Sequence, residues 1–262
     1  MLESVWHQGT GLHWQGAQSS LRVLPVVPSG DLADASAVWM ACAHLQQQGY
    51  PVVVLDGTQQ ESDAAPGLQD LLQPRQGYAF TTLNADMSNP LSVATLPAAR
   101  GMVQLQHKAS VTGERPVDLL YRFVRNHAIL VLWAPAPLLA GMLHGCTQAP
   151  IQLVPAQSRN VVSSYRALKQ VLMGGGLMPR LVAMRPAGYG LDSVLKSVSQ
   201  CAMRHLHSEP LCEQFDPLQA RQLQRWALQC LEHAETVHAP QEQAAPGTGA
   251  SPLSSAPAVW SH

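Results

Sequence analysis

The sequence predicts an α/β protein built on a doubly wound, mainly parallel sheet. Three observations predict it. Continuous apolar runs recur at residues 21–29, 51–57, 128–134 and 150–156, as strands covered on both faces require. Amphipathic segments with helical spacing separate those runs. The stretch from Val23 to Gly57, VLPVVPSGDLADASAVWMACAHLQQQGYPVVVLDG, is by itself strand, loop, helix, turn and strand, with a carboxylate ending the second strand. Alternation of this kind implies βαβ units and parallel pairing.

The elements follow in order. Residues 1–20, rich in Gln, Gly, Ser and Trp, read as an irregular lead-in. After the strand at 21–29, a helix spans Asp34 to Gln48, with Ala37, Met40, Ala41 and Leu45 as its apolar face and Gly49 as its C-terminal cap. Residues 59–77 are polar and read as loop plus a short helix, and 92–98 and 102–106 are candidate strands. A helix is expected over 113–127, with Val117, Leu120 and Val124 on one face and Glu114 and Asp118 favouring its N-terminal dipole. Strands 128–134 and 150–156 come next, then a helix at 160–173, a glycine turn and strand within 174–186, and a helix at 190–208 with Asp192 in its N-cap region. Residues 217–236 form an amphipathic helix whose stripe is Leu223, Trp226, Ala227, Cys230, Leu231 and Ala234. From Ala239 the chain is Pro, Ala, Ser, Gly and Gln, which predicts a disordered tail. The organisation is therefore a lead-in (1–20), an α/β domain (21–208), a C-terminal helical segment (209–238) and a tail (239–262).

Composition narrows the classes. At 262 residues with 46% apolar content the chain can bury a large core. Charged residues are 13%, roughly half the usual share. A net charge of −1 offers no global attraction to nucleic acid or anionic membrane, so no nucleic-acid partner is expected. Cys42, Cys146, Cys201, Cys212 and Cys230 form no C-x-x-C pair and are odd in number, which suggests reduced, mostly buried thiols of a cytoplasmic protein. The N-terminus lacks a basic region followed by an apolar one and does not read as a signal peptide. Ala128–Leu143 is apolar for 16 residues, short of the roughly 18 or more of a spanning helix. Prolines interrupt it, so a strand, a loop and a short helix are expected.

Other constellations read as structure. Cys201, His205, His207 and Cys212 lie close together but match no common zinc spacing, and no metal site is expected. The glycines at 174–176 follow a helix rather than precede one, as a connection would. In the last helix Glu232 and Glu235 balance Arg221 and Arg225. Docking of 217–236 onto the protein's own core is favoured over peripheral membrane contact.

The order of these pieces resembles the MinD/ParA family of P-loop ATPases over roughly residues 21–208. In that family the first strand ends in S-G-K-G-G-x-G-K-[ST], and a helix, a glycine turn and an L-L-D-x-D strand follow. Ser29, Gly30, Gly49 and Asp56 fall on matching positions. TLPAARG (95–101) is similar to the family's strand ending in L-P-A. IQLVPAQSRNVVSSYRALKQVL (151–172) matches a later segment at Pro155, Ser158, Tyr165, Leu168 and Lys169. Within the family the chain most resembles the branch that sets flagellar number and placement (FlhG/FleN-like). The resemblance implies a P-loop NTPase-like fold; working members bind ATP and Mg²⁺ and dimerise across the nucleotide.

The catalytic positions depart from that pattern. The loop after Gly30 is about two residues short and reads DLADASA, without the lysine and glycines that gather phosphate. Asp31 and Asp34 would meet phosphates with like charge. Thr58 replaces the second carboxylate of D-x-D, Trp133 stands where D-T-x-A-G has its aspartate, and the D-Q-A-x-x-L motif by which flagellar relatives stimulate a GTPase is absent. The expectation is a regulator of flagellar number or placement, acting by contact with a protein partner, without a cofactor. Its degenerate nucleotide positions are Ser29, Gly30, Ser36 and Asp56. Arg166 and Lys169, three apart on one side of a helix, are the partner-contact candidates. Two alternatives stay open. One is a working ATPase that uses ATP and Mg²⁺ through Asp56 and Ser36. The other is a ParA-type positioning factor for another envelope machine such as cellulose synthase.

Overall fold

The computed structural model describes residues 20–73, 93–124, 126–186 and 192–238. Their strands are β1 (Ser20–Val27), β2 (Val52–Asp56), β3 (Ala94–Pro97), β4 (Ile129–Trp133), β5 (Ile151–Leu153), β6 (Arg180–Met184), β7 (Cys212–Phe215) and β8 (Glu235–His238). Their helices are α1 (Leu32–Gln47), α2 (Leu68–Leu72), α3 (Ala99–Thr112), α4 (Tyr121–Val124), α5 (Ala136–Met142), α6 (Val161–Gly175), α7 (Ser193–Leu206) and α8 (Ala220–Glu232). One sheet runs β3-β2-β4-β1-β5-β6-β7, all parallel. On β1, β5 reaches only Val26 and Val27, and β8 lies antiparallel along the first half of that side, from Ser20↔His238 to Val23↔Glu235.

The apolar runs are continuous because both faces of the sheet are covered. On β1, Leu21, Val23 and Val27 join Met102, Leu105, Leu120, Leu139 and Met142 on one side. Leu24 and Val26 join Ala37, Val38, Ala41 and Leu45 of α1 and Leu223, Trp226, Ala227 and Cys230 of α8 on the other. A third cluster packs α6 and α7 onto β6 through Leu168, Val198 and Leu181. This is the doubly wound α/β arrangement the sequence predicts.

Several local expectations change. Residues 102–106 lie inside α3 and not in a strand; Met102 and Leu105, three apart, are its fully buried positions. Five residues are too few to separate the two periods. Met40 is 45% exposed, and Val38 and Cys42 complete the buried face of α1 instead. The helix expected at 113–127 is a 3-10 turn at Asp118–Leu120 followed by α4, although Val117, Leu120 and Val124 are buried as expected. The helix expected at 217–236 ends at Glu232, and the segment 209–238 contributes two strands to the sheet besides α8. β7 (CEQF) and β8 (ETVH) are too polar to read as buried strands. Ala128–Leu143 is β4 followed by α5, and no described helix is long and apolar enough to cross a membrane. The lead-in before Ser20 and the tail from Ala239 lie outside the described residues.

Gly174 and Gly175 belong to α6, where a Cβ on Gly175 would sit 3.1 Å from the Leu143 Cβ, and Gly176 closes the helix at φ +74°. The three glycines therefore serve close packing of α5 on α6 and a left-handed cap. All five cysteines are free; Cys42 and Cys230 are buried and the other three half-buried.

Candidate functional site

The chain leaves β1 through α1 on one face of the sheet, but leaves β4 and β5 through α5 and α6 on the other. That divergence opens a crevice at the carboxyl ends of the strands, the place where open α/β sheets bind ligands. The cleft here measures about 350 Å³ and is bordered by Ser29, Gly30, Pro135, Gln152, Ser164 and Arg166.

The loop between β1 and α1 turns on Gly30 at φ +83°, a left-handed conformation that favours glycine. Asp31 then caps α1, its carboxylate accepting from the Ala33 N–H at 2.9 Å. Ser29 Oγ accepts from the Asp31 N–H at 3.0 Å and donates to Asp34 Oδ2 at 2.6 Å. Asp34 is buried. Burial pushes its pKa up, the Ser29 hydroxyl pulls it back in part, Asp31 adds like charge and Arg185 opposes it. The positive end of α1, where a phosphate would find free N–H groups and a favourable dipole, thus carries two carboxylates from its own sequence.

Asp56 ends β2 and is buried. Its Oδ1 accepts from the Thr58 N–H at 2.9 Å and the Thr58 hydroxyl at 2.6 Å, so Thr58 occupies this carboxylate oxygen. Asp56 and Val26 both pair with Trp133 from opposite sides, which puts them about 10 Å apart, two strand spacings. The Trp133 ring lies edge-on to Trp39 of α1, with centroids 5.0 Å apart. Ser36 is exposed on α1; Asp34 is the residue of that turn that goes inward. The structure therefore brings Ser29, Gly30 and Asp34 together and leaves Ser36 and Asp56 apart from them. These residues suit a magnesium triphosphate poorly. Among the described residues that border the cleft there is no lysine and one cation, Arg166, and the loop's own carboxylates, held by the Ser29 hydroxyl and the Ala33 N–H, stand at the N-terminus of α1.

Arg166 and Lys169 are exposed on α6. Val162, 67% exposed, and Met173, 64% exposed, extend them into one stripe at i, i+4, i+7 and i+11. Arg185, just after β6, donates to Asp192 Oδ2 at 2.6 Å and to the Val154 carbonyl at 2.8 Å. Its hydrogen bond holds the Asp192 pKa below the usual range, against a smaller opposing effect of burial. Asp192 also caps α7 as expected, accepting from the N–H groups of Val194 and Leu195.

Glu61 and Gln152 are among the buried polar residues that escaped the sequence reading. Glu61, 2% exposed, accepts from the N–H groups of Arg100 at 2.8 Å and Gly101 at 2.7 Å, closing the N-terminus of α3 from 40 residues away. Gln152 donates through Nε2 to the Ser164 carbonyl at 2.8 Å, and its Oε1 has no partner among the described residues. Neither is marked locally, because long-range packing buries them. Cys201 and His205 share α7, with the His205 ring 6.1 Å from that of Tyr165. Among the described residues no group of three or more His, Cys, Asp or Glu could hold a metal.

No family model matches the chain, and no curated protein matches it.

Proposed function

We propose that the chain is a MinD/ParA-like regulator that acts by protein–protein contact in the cytoplasm and has lost nucleotide binding. The observation that carries this reading is the β1–α1 loop, where Asp31 and Asp34 place negative charge at the helix end a triphosphate would need. The exposed α6 stripe of Val162, Arg166, Lys169 and Met173 supplies the contact surface, with two cations between two apolar ends. The flagellar setting rests on the resemblance of residues 151–172 to the number-regulating branch.

The experiment is flagellar counting by electron microscopy in a deletion strain complemented with variants. Deletion should change the number or placement of flagella. Asp56→Ala should restore the parental count, whereas Arg166→Glu with Lys169→Glu should not. Normal counts in the deletion strain would remove the flagellar setting. A defect with Asp56→Ala at normal protein level would reject the contact-only mechanism and favour a working ATPase.

A further inference from the structure

A second groove, of about 540 Å³, lies between β7 and α8. We propose that it docks an extended segment of a partner protein, added as a strand to β7 and carrying an acidic side chain. Among the described residues β7 is the last strand in the sheet order. The Leu181 N–H donates to the Leu211 carbonyl at 2.8 Å, so Leu211 and Glu213 face β6. The alternate residues Cys212 and Gln214 then turn their backbone N–H and C=O groups outward, as an open edge does. Such edges accept a further strand through main-chain hydrogen bonds, with alternate side chains read by neighbouring pockets.

The groove supplies those pockets. One wall is the α8 stripe of Gln222, Arg225, Trp226 and Gln229, and the other is the face of β7 that bears Glu213 and Phe215. Trp226 stacks on Phe215 with centroids 5.1 Å apart at 26°, giving an apolar floor. Its buried indole Nε1–H has no acceptor among the described residues, and a buried indole N–H usually has one. Arg180 and Glu213 satisfy each other as an ion pair. Arg225 is exposed and makes no described ion pair. The uncompensated charge of the groove is therefore positive, which selects a carboxylate beside an apolar side chain.

The test is selection of a random twelve-residue peptide library displayed on phage against the full chain. Enriched peptides should alternate apolar residues with Asp or Glu. A synthetic copy should lose at least ten-fold in affinity to Arg225→Glu, an exposed change that spares the core. With Lys replacing its acidic residue, the same peptide should bind Arg225→Glu better than the parent. Hydrogen exchange at Cys212 and Gln214 should slow when the peptide binds. An empty selection, a consensus without acidic residues, or equal binding to parent and Arg225→Glu overturns the proposal. Slow exchange of those two amides in the free chain also overturns it, because the edge would already be paired.

Discussion

Asp34 and Glu235 are equally closed to water, 5% and 4% exposed, and opposite in the company they keep. Asp34, in the loop after β1, accepts one hydrogen bond, from the Ser29 hydroxyl. Glu235, at the start of β8, accepts from the N–H groups of Thr147 at 2.9 Å and Gln148 at 3.0 Å, from the Thr147 hydroxyl, and from Arg115 at 2.7 Å. Burial dominates at Asp34 and pushes its pKa up. At Glu235 burial also pushes upward, but the two backbone N–H groups, Arg115 and Thr147 together outweigh it and hold the pKa below the ordinary value. The same burial therefore yields a settled charge that pins β8 to the body, and an unsettled one bonded to Ser29 beside the cleft. Residues held against their own stability are where function concentrates.

The comparison breaks most readily at Glu235. Glu235→Ala leaves two N–H groups and Arg115 without their acceptor, and should lower stability by about 3 kcal/mol in urea unfolding at neutral pH. A group with a depressed folded pKa stabilises above its unfolded pKa and loses that contribution as pH falls through the folded value. The gap between parent and Glu235→Ala should therefore close on acidification below about pH 4. An unchanged gap at low pH would mean that packing, not the carboxylate, pins β8.

Asp31→Ala is the intermediate case. It removes the cap of α1 and should lower stability by about 1 kcal/mol, read in the same unfolding experiment. No loss would show that the α1 terminus does not depend on its own carboxylate.

The smallest effect belongs to Asp34. Its raised pKa means that the ionised form opposes folding at neutral pH and that the opposition fades as pH falls through the raised value. Asp34→Asn should stabilise by about 0.5–1 kcal/mol at neutral pH and by less in acid, checked by thermal melts across that range. A loss at neutral pH would place Asp34 with Glu235 among the settled charges and erase the contrast.

Much of this was legible in the sequence. The runs at 21–29, 51–57 and 128–134 have apolar centres, Val23–Val27, Val52–Leu55 and Ala128–Ala134, as strands covered on both faces do, and they marked the sheet centre. Asp192 announced its cap because capping is decided within three residues. The edge of the sheet was not legible: a strand with one side in solvent, such as CEQF, needs no apolar run. Nor was Glu235 legible as an anchor, since its partners Arg115 and Thr147 lie 120 and 88 residues away. At the cleft, the like charge of Asp31 and Asp34 was plain from the loop. That Asp31 would cap the helix and Asp34 would turn inward onto Ser29, leaving Ser36 in solvent, required the left-handed turn at Gly30.

The central claim is that the carboxylates of the β1–α1 loop occupy the helix end a triphosphate would need. Isothermal titration of the full chain with ATP and Mg²⁺ at high micromolar nucleotide tests it most directly. No heat of binding is predicted for the parent. A micromolar dissociation constant that disappears in Asp56→Ala would contradict the claim and favour the working-ATPase alternative.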